Sequence, residues 1–145
     1  FGGDIVGGLV GWYMGDVSDS YSIGSVTGYD YVGGLIGSNW GGVSNSYSTG
    51  SVTGSLSVGG LLGDNLGDNE GAGGVDNVRN SFWDTETSGQ ATSDGGTGKT
   101  RVEMQDITTF SRWNIIAVAD SGTRNTGYIW NIVDGETYPF LSWET

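Results

Sequence analysis

Apolar residues along the first two thirds of the chain come in short bursts cut by glycine. VGGLVG, VSDSYS and SVTG follow one another with Ser, Asn, Asp and Gly between them. No burst is long enough for a helix of ordinary length, and the Val, Ile, Thr and Tyr content predicts strands of three to five residues. Strands that short cannot bury a face alone, so they need neighbours. The bursts also repeat: residues 6–31 align without gaps on residues 32–57, with 16 of 26 positions identical. A third copy opens at Val58 as VGGLLGDNLGD and resumes at Asn80 as NSFWDTETSG. Tyr47 and Phe82 are 35 residues apart against 26 for Tyr21 and Tyr47, which places an insertion of about nine residues near residues 67–79.

Stacking the units as coils of a β-solenoid supplies the missing neighbours, since like residues then lie about 4.8 Å apart and pair through the backbone. The expected ladders are Val6/Val32/Val58, Leu9/Leu35/Leu61, Val10/Ile36/Leu62, Val17/Val43, Tyr21/Tyr47/Phe82 and Val26/Val52. An antiparallel sandwich with hairpins at the glycines is the competing architecture. Tight corners need φ > 0, which assigns them to glycine. If VGGLVG runs straight, Val6 and Val10 share one face and Leu9 takes the other, leaving an apolar stripe that needs a cover; a bend at the paired glycines turns both inward.

The chain changes character at Lys99. Residues 1–98 hold 26 of the 29 glycines, 11 acids and one base, whereas residues 99–145 hold 3 glycines, 6 acids and 4 bases. TRVEMQD reads as a short helix with Thr100 and Glu103 forming a capping box. The remainder alternates as strands, turns at Asp134-Gly135, and offers Trp113, Trp130, Phe140 and Trp143 to cover an open strand edge. The expected fold is all-β: a short β-solenoid of about three 26-residue coils over residues 1–98, followed by a mixed C-terminal cap with one short helix and strands over residues 99–145.

A net charge of −12 disfavours nucleic acid as a partner. With neither Cys nor His, the chain lacks thiolate nucleophiles, imidazole bases and the common zinc and iron ligand sets, so an enzyme is not expected. No stretch reaches the roughly 20 apolar residues of a membrane span. The opening FGGDIVGG lacks an initiator Met and a basic leader, which suits a processed product or a piece of a longer chain.

Candidate chemistry is sparse. TGKT at residues 97–100 ends like a phosphate-binding loop, but the pattern requires glycine at position 93, which is Ser93, so a loop ahead of the helix is expected. Asp64, Asp68, Glu70 and Asp76 crowd the glycine-rich insertion, and calcium is the one cofactor this clustering suits, as hard oxygen ligands around a hard cation. Asp84 and Glu86, two apart on a strand, form a conceivable glycosidase pair, although the expected placement is Phe82 in its ladder with Trp83 and the acids outside. Trp12, Tyr13 and Trp40 are expected in the loops after the GLVG and GLIG elements and do not recur in the ladders. They are expected to face solvent as a contact surface for sugar or for another chain, with Tyr29 and Tyr31 nearby.

GLVG, GLIG and GLLG, each preceded by Val-Gly and the first two followed by a VSNSYSTGSVTG-type stretch, resemble the GLUG motif of bacterial and archaeal surface proteins. NSFWDTETSGQATSDGGTGKT and the closing WNIVDGETYPFL resemble the stretch that commonly follows such repeats. The resemblance implies a secreted or cell-surface, adhesin-like structural module with no catalytic residues. The insertion in the third copy departs from the resemblance; unpaired strand edges at the first coil and the aromatic residues suit partners that are copies of itself, neighbouring surface domains or glycans.

Overall fold

The computed structural model describes residues 4–67 and 77–144. The chain divides into two compact units, Phe1–Gly98 and Lys99–Thr145. In the first unit each 26-residue repeat forms one coil. Coil one carries β1 (Val6–Gly7), β2 (Val10–Tyr13), β3 (Val17–Ser18), β4 (Tyr21–Ser22) and β5 (Val26–Thr27). Coil two carries β6 (Val32–Gly33), β7 (Ile36–Asn39), β8 (Val43–Ser44), β9 (Tyr47–Ser48) and β10 (Val52–Thr53). Coil three carries β11 (Val58–Gly59), β12 (Leu62–Asn65), β13 (Val78–Arg79) and β14 (Phe82–Asp84), and then replaces the fifth strand by a helical turn, α1 (Thr85–Ser88).

Each strand pairs in parallel with its equivalent in the next coil. Val6, Val32 and Val58 stand in one ladder, Val10, Ile36 and Leu62 in a second, and Tyr21, Tyr47 and Phe82 in a third. The leucines follow suit, with Leu9 N–H donating to Leu35 O and Leu35 N–H to Leu61 O, both at 2.9 Å. The rings of Tyr21 and Tyr47 stack at 5.2 Å and 11°. A sandwich would have produced antiparallel hairpins between unlike strands; the repeat produces parallel pairs between like ones.

The apolar side chains turn inward in coils two and three. Leu35, Ile36, Leu61, Leu62, Val17, Val43, Val78 and Trp83 form one cluster, and Val26, Val32 and Val52 a second, with Val6 and Val58 packed against it. The strands break between β6 and β7, so the chain bends at Gly33-Gly34 and buries both Leu35 and Ile36. The straight two-faced stripe is not formed, and no lateral cover is needed there.

Glycine does a different job from the one expected of it. The left-handed corners within the coils are Asp19, Asn45 and Asn80 at one place and Tyr31 and Ser57 at another, all with φ of 46–48°. Asn and Asp tolerate this region because their short polar side chains bond locally. Glycines 7, 33 and 59 serve close approach instead: a Cβ on Gly33 would lie 1.9 Å from Ile36 O, and its ladder mates are equally crowded. After each Asp/Asn corner a serine accepts across the coils, Ser20 N–H donating to Ser46 Oγ and Ser46 N–H to Ser81 Oγ, both at 3.2 Å.

The far edge of coil three is covered from within the first unit. Gln90 Nε2 donates to Val52 O, Gly60 N–H to Thr92 O, Leu62 N–H to Ser93 Oγ, Asn65 N–H to Asp94 Oδ2 and Thr97 N–H to Ser81 O. β15 (Thr97–Lys99) then joins the sheet beside β14. Residues 90–99 thus visit the ladders in the same order as a coil does, an abbreviated fourth turn. They are the seal of the stack, and Thr97–Lys99, read from sequence as part of a loop, is its last strand.

The second unit has its own core of Met104, Phe110, Trp113, Trp130 and Ile132. Its short helix, α2 (Arg101–Met104), carries the full Thr100/Glu103 capping box. A three-stranded sheet pairs β16 (Ile115–Ala117) in parallel and β18 (Phe140–Leu141) antiparallel to the central β17 (Trp130–Ile132). Trp113 and Trp130, expected as covering residues, pack with ring centroids 4.8 Å apart inside this unit, whereas Trp143 is exposed.

Candidate functional site

Each coil-one strand is terminal in its sheet, with no strand beyond it among the described residues. Exposure follows from that position. Leu9 is 47% exposed while its ladder mates Leu35 and Leu61 are at 0%. Val6, Val10 and Tyr21 are half-buried where Val32, Ile36 and Tyr47 are buried, and Ile5 and Ile23 are exposed. The same sequence pattern is therefore core in coil two and surface in coil one.

The aromatic residues lie at the rim of this open coil. Trp12 and Tyr13 belong to β2 itself, not to a loop after it, and they pair with Ser38 and Asn39 of coil two. Trp40 follows β7 directly, and its N–H donates to Tyr13 O at 2.9 Å, which ties it to the end of β2. All three are exposed, at 52%, 41% and 38%, and Met14 is exposed as well. Tyr29 is also exposed, whereas Tyr31 occupies a left-handed corner and is half-buried.

Positions 13, 39 and 65 form a ladder that changes chemistry between coils. Asn39 Nδ2 donates to Gly41 O at 2.7 Å and to Asn65 Oδ1 at 2.9 Å, and Asn77 Nδ2 donates to Asn65 Oδ1 and Gly41 O. Buried polar groups must be paired, and this network pairs them. The 26-residue spacing of Asn39 and Asn65 is its signal in the sequence; Asn77, within the insertion, has none.

The acids separate into different settings. Asp64 lines a cleft of about 430 Å³ with Ser57, Val58, Gly63, Thr92, Ser93 and Asp94. Burial, then the charge of Asp94 and more weakly that of Asp30, hold its carboxyl above the usual range. Asp68, Glu70 and Asp76, the other calcium candidates, lie outside the described residues. Among the described residues no group of three or more carboxylates is placed to hold a metal.

The glycosidase pair is not assembled. Asp84 is fully buried and accepts from the N–H groups of Glu86 and Thr87 as the N-cap of α1, while Glu86 is exposed. The helix begins one residue after Asp84, so the two do not share a strand face. Trp83, expected outside, is buried: it takes the inward place of Ser48 and packs against Gly60, where a Cβ would lie 2.0 Å from the indole. TGKT is likewise structural, with Thr97–Lys99 as strand and Thr100 as helix cap.

No curated protein and no solved structure matches the chain. The family model described as the GLUG motif matches residues 28–53. That match spans the five strands of coil two; coil one repeats all five in register and coil three the first four, so the chain carries a GLUG motif within a stack of like coils.

Proposed function

We propose that the chain is a non-enzymatic structural and adhesive module of a secreted or cell-surface protein. The observation that carries this reading is the coil stack itself, covered by its own chain at coil three, with its exposed aromatic residues gathered at coil one and the adjoining edge of coil two. Its polar side chains are spent on ladders and caps, and Asp84, the most buried acid, is a helix cap. Function then lies in spacing, presenting and joining surfaces. Among the described residues no helix is long and apolar enough to cross a membrane.

Self-assembly is the homotypic form of this reading. A net charge of −12 opposes it through like-charge repulsion, so association should strengthen as salt screens the charge. Sedimentation at low and high ionic strength, with electron microscopy of the same samples, tests it. Strict monomers at high concentration in both conditions would remove self-assembly. Carbohydrate binding is the second reading, favoured by Trp12, Tyr13 and Trp40 standing exposed on adjoining strands. Binding on a glycan array that is lost in Trp12→Ala would select it. Calcium at the insertion remains part of the proposal, and a melting temperature unchanged between millimolar calcium and chelator would remove it.

A further inference from the structure

We infer that residues 91–94 are a hinged strap: they lift off coil three while the coils beneath stay folded, baring the backbone N–H groups of Gly60, Leu61, Leu62 and Asn65 and widening the cleft beside Asp64.

What holds the segment down is polar throughout. Gly60 N–H donates to Thr92 O, Leu61 and Leu62 N–H to Ser93 Oγ, Asp94 N–H to Leu62 O and Asn65 N–H to Asp94 Oδ2. No apolar side chain of the segment is buried: Ala91, Thr92 and Asp94 are exposed and Ser93 is half-buried. The layer below is the opposite, with Leu61 and Leu62 both fully buried in the main core cluster. Those leucines stay covered when the strap lifts, because Gly96 and Gly95, just beyond it, are the residues that lie against them. A surface element tied by hydrogen bonds alone opens at low cost, since the freed groups find water and little apolar area is bared.

The ends of the segment supply hinges and anchors. Four glycines among the described residues have positive φ, and three of them flank the strap: Gly89 at 70°, Gly95 at 154° and Gly96 at 84°. Such backbone is open to glycine and strained for other residues, so the turning points are set by residue type. The anchors are firm. Trp83 Nε1 donates to Gln90 O and Gln90 Nε2 to Val52 O on one side, and Thr97 N–H donates to Ser81 O on the other. Between them the strap does not seat flush, for Thr92, Ser93 and Asp94 wall one side of the cleft of about 430 Å³ that Asp64 lines. Asp64 and Asp94 carry like charge there, and their repulsion works against closure.

The test is amide hydrogen exchange of the full chain under native conditions, repeated in low concentrations of urea. Gly34, Leu35 and Ile36 are the ladder equivalents of Gly60, Leu61 and Leu62, and they donate to the backbone of coil three instead of to the strap. After correction for intrinsic rates, the Gly60, Leu61 and Leu62 amides should exchange at least about tenfold faster than that earlier triplet. Their rates should be flat in urea, while those of Gly34, Leu35 and Ile36 rise with it. Phe82 and Thr97 N–H, bonded to Ser46 O and Ser81 O, should behave as the slow triplet does. Ser93→Ala removes the acceptor shared by Leu61 and Leu62, and Gly89→Ala puts a side chain on a left-handed hinge where its Cβ meets nothing. Each should speed the fast triplet at least about threefold more and leave the slow one unchanged. Equal rates in the two triplets, or one urea dependence shared by both, would make the segment part of the global fold and overturn the proposal. Fast exchange at Phe82 alongside Gly60 also overturns it, in favour of fraying of coil three as a whole. So does a variant that speeds every amide alike.

Discussion

Coil one and coil two share 16 of 26 residues and the same strand boundaries, yet coil two is core and coil one is largely surface. Leu9 and Leu35 differ in nothing but what lies on their outer side. The contrast teaches that in a stacked fold burial belongs to position in the stack, and that energetic weight must follow the neighbours and not the motif.

The largest expected difference comes from the leucine ladder. Leu35→Ala should cost about 2–5 kcal/mol, as for other fully buried leucines, and Leu9→Ala no more than about 0.5 kcal/mol. Urea unfolding of the two variants checks this, and equal losses would break the comparison. Next is the ladder where Tyr13 meets Asn39. Asn39→Ala removes one of the two donors to Gly41 O and to Asn65 Oδ1, and the acceptor of Gly41 N–H, and should cost about 1–3 kcal/mol, against a near-neutral Tyr13→Ala, read by thermal melting.

The corners sharpen the contrast by abolishing it. Asp19 and Asn45 share a φ of 47–48°, so valine at either should cost a similar amount, about 1–2 kcal/mol. A large difference between Asp19→Val and Asn45→Val would mean that the corner strain, too, depends on the stack.

The smallest effect lies at the sealed end, where Asp64 continues the ladder of Trp12 and Ser38. Its folded-state pKa is raised, so the carboxylate costs stability at neutral pH, and that cost fades as pH falls through the raised value. Asp64→Asn should therefore raise the melting temperature by roughly 1–3 °C at pH 7, with no gain below about pH 3. A gain that persists in acid would assign the effect to packing.

The ladders were legible because near-identical tandem units can pair their equivalents in only one register. Val6/Val32/Val58 and Tyr21/Tyr47/Phe82 needed no more than the period. Trp12 and Tyr13 are exposed for a reason other than the one the sequence offered: they do stand in ladders, with the buried Ser38 and Asn39, and face out because their coil is terminal among the described residues. What was not legible depended on contacts outside the repeat. Trp83 looked like an outward residue until the terminal coil supplied Gly60 and an interior to fill. Residues 90–99 lack the repeat's sequence while following its path, because their bonds run through single side chains such as Ser93 and Gln90. The corners misled because glycine is the usual answer for positive φ, while here its scarce commodity is the absence of a Cβ beside a carbonyl.

The change of spacing in coil three has a wider meaning. Asn65 pairs with Asn39 at a separation of 26 residues and Val78 with Val43 at 35, so nine residues enter between Asn65 and Val78 and the ladders on either side keep their partners. The ladders before and after the insertion thus hold their register whatever the length of chain between them. Closure entropy rises only with the logarithm of length, so doubling such a segment would add about 0.6 kcal/mol. A lineage of these proteins can therefore change the length and composition of that segment without relearning how to fold.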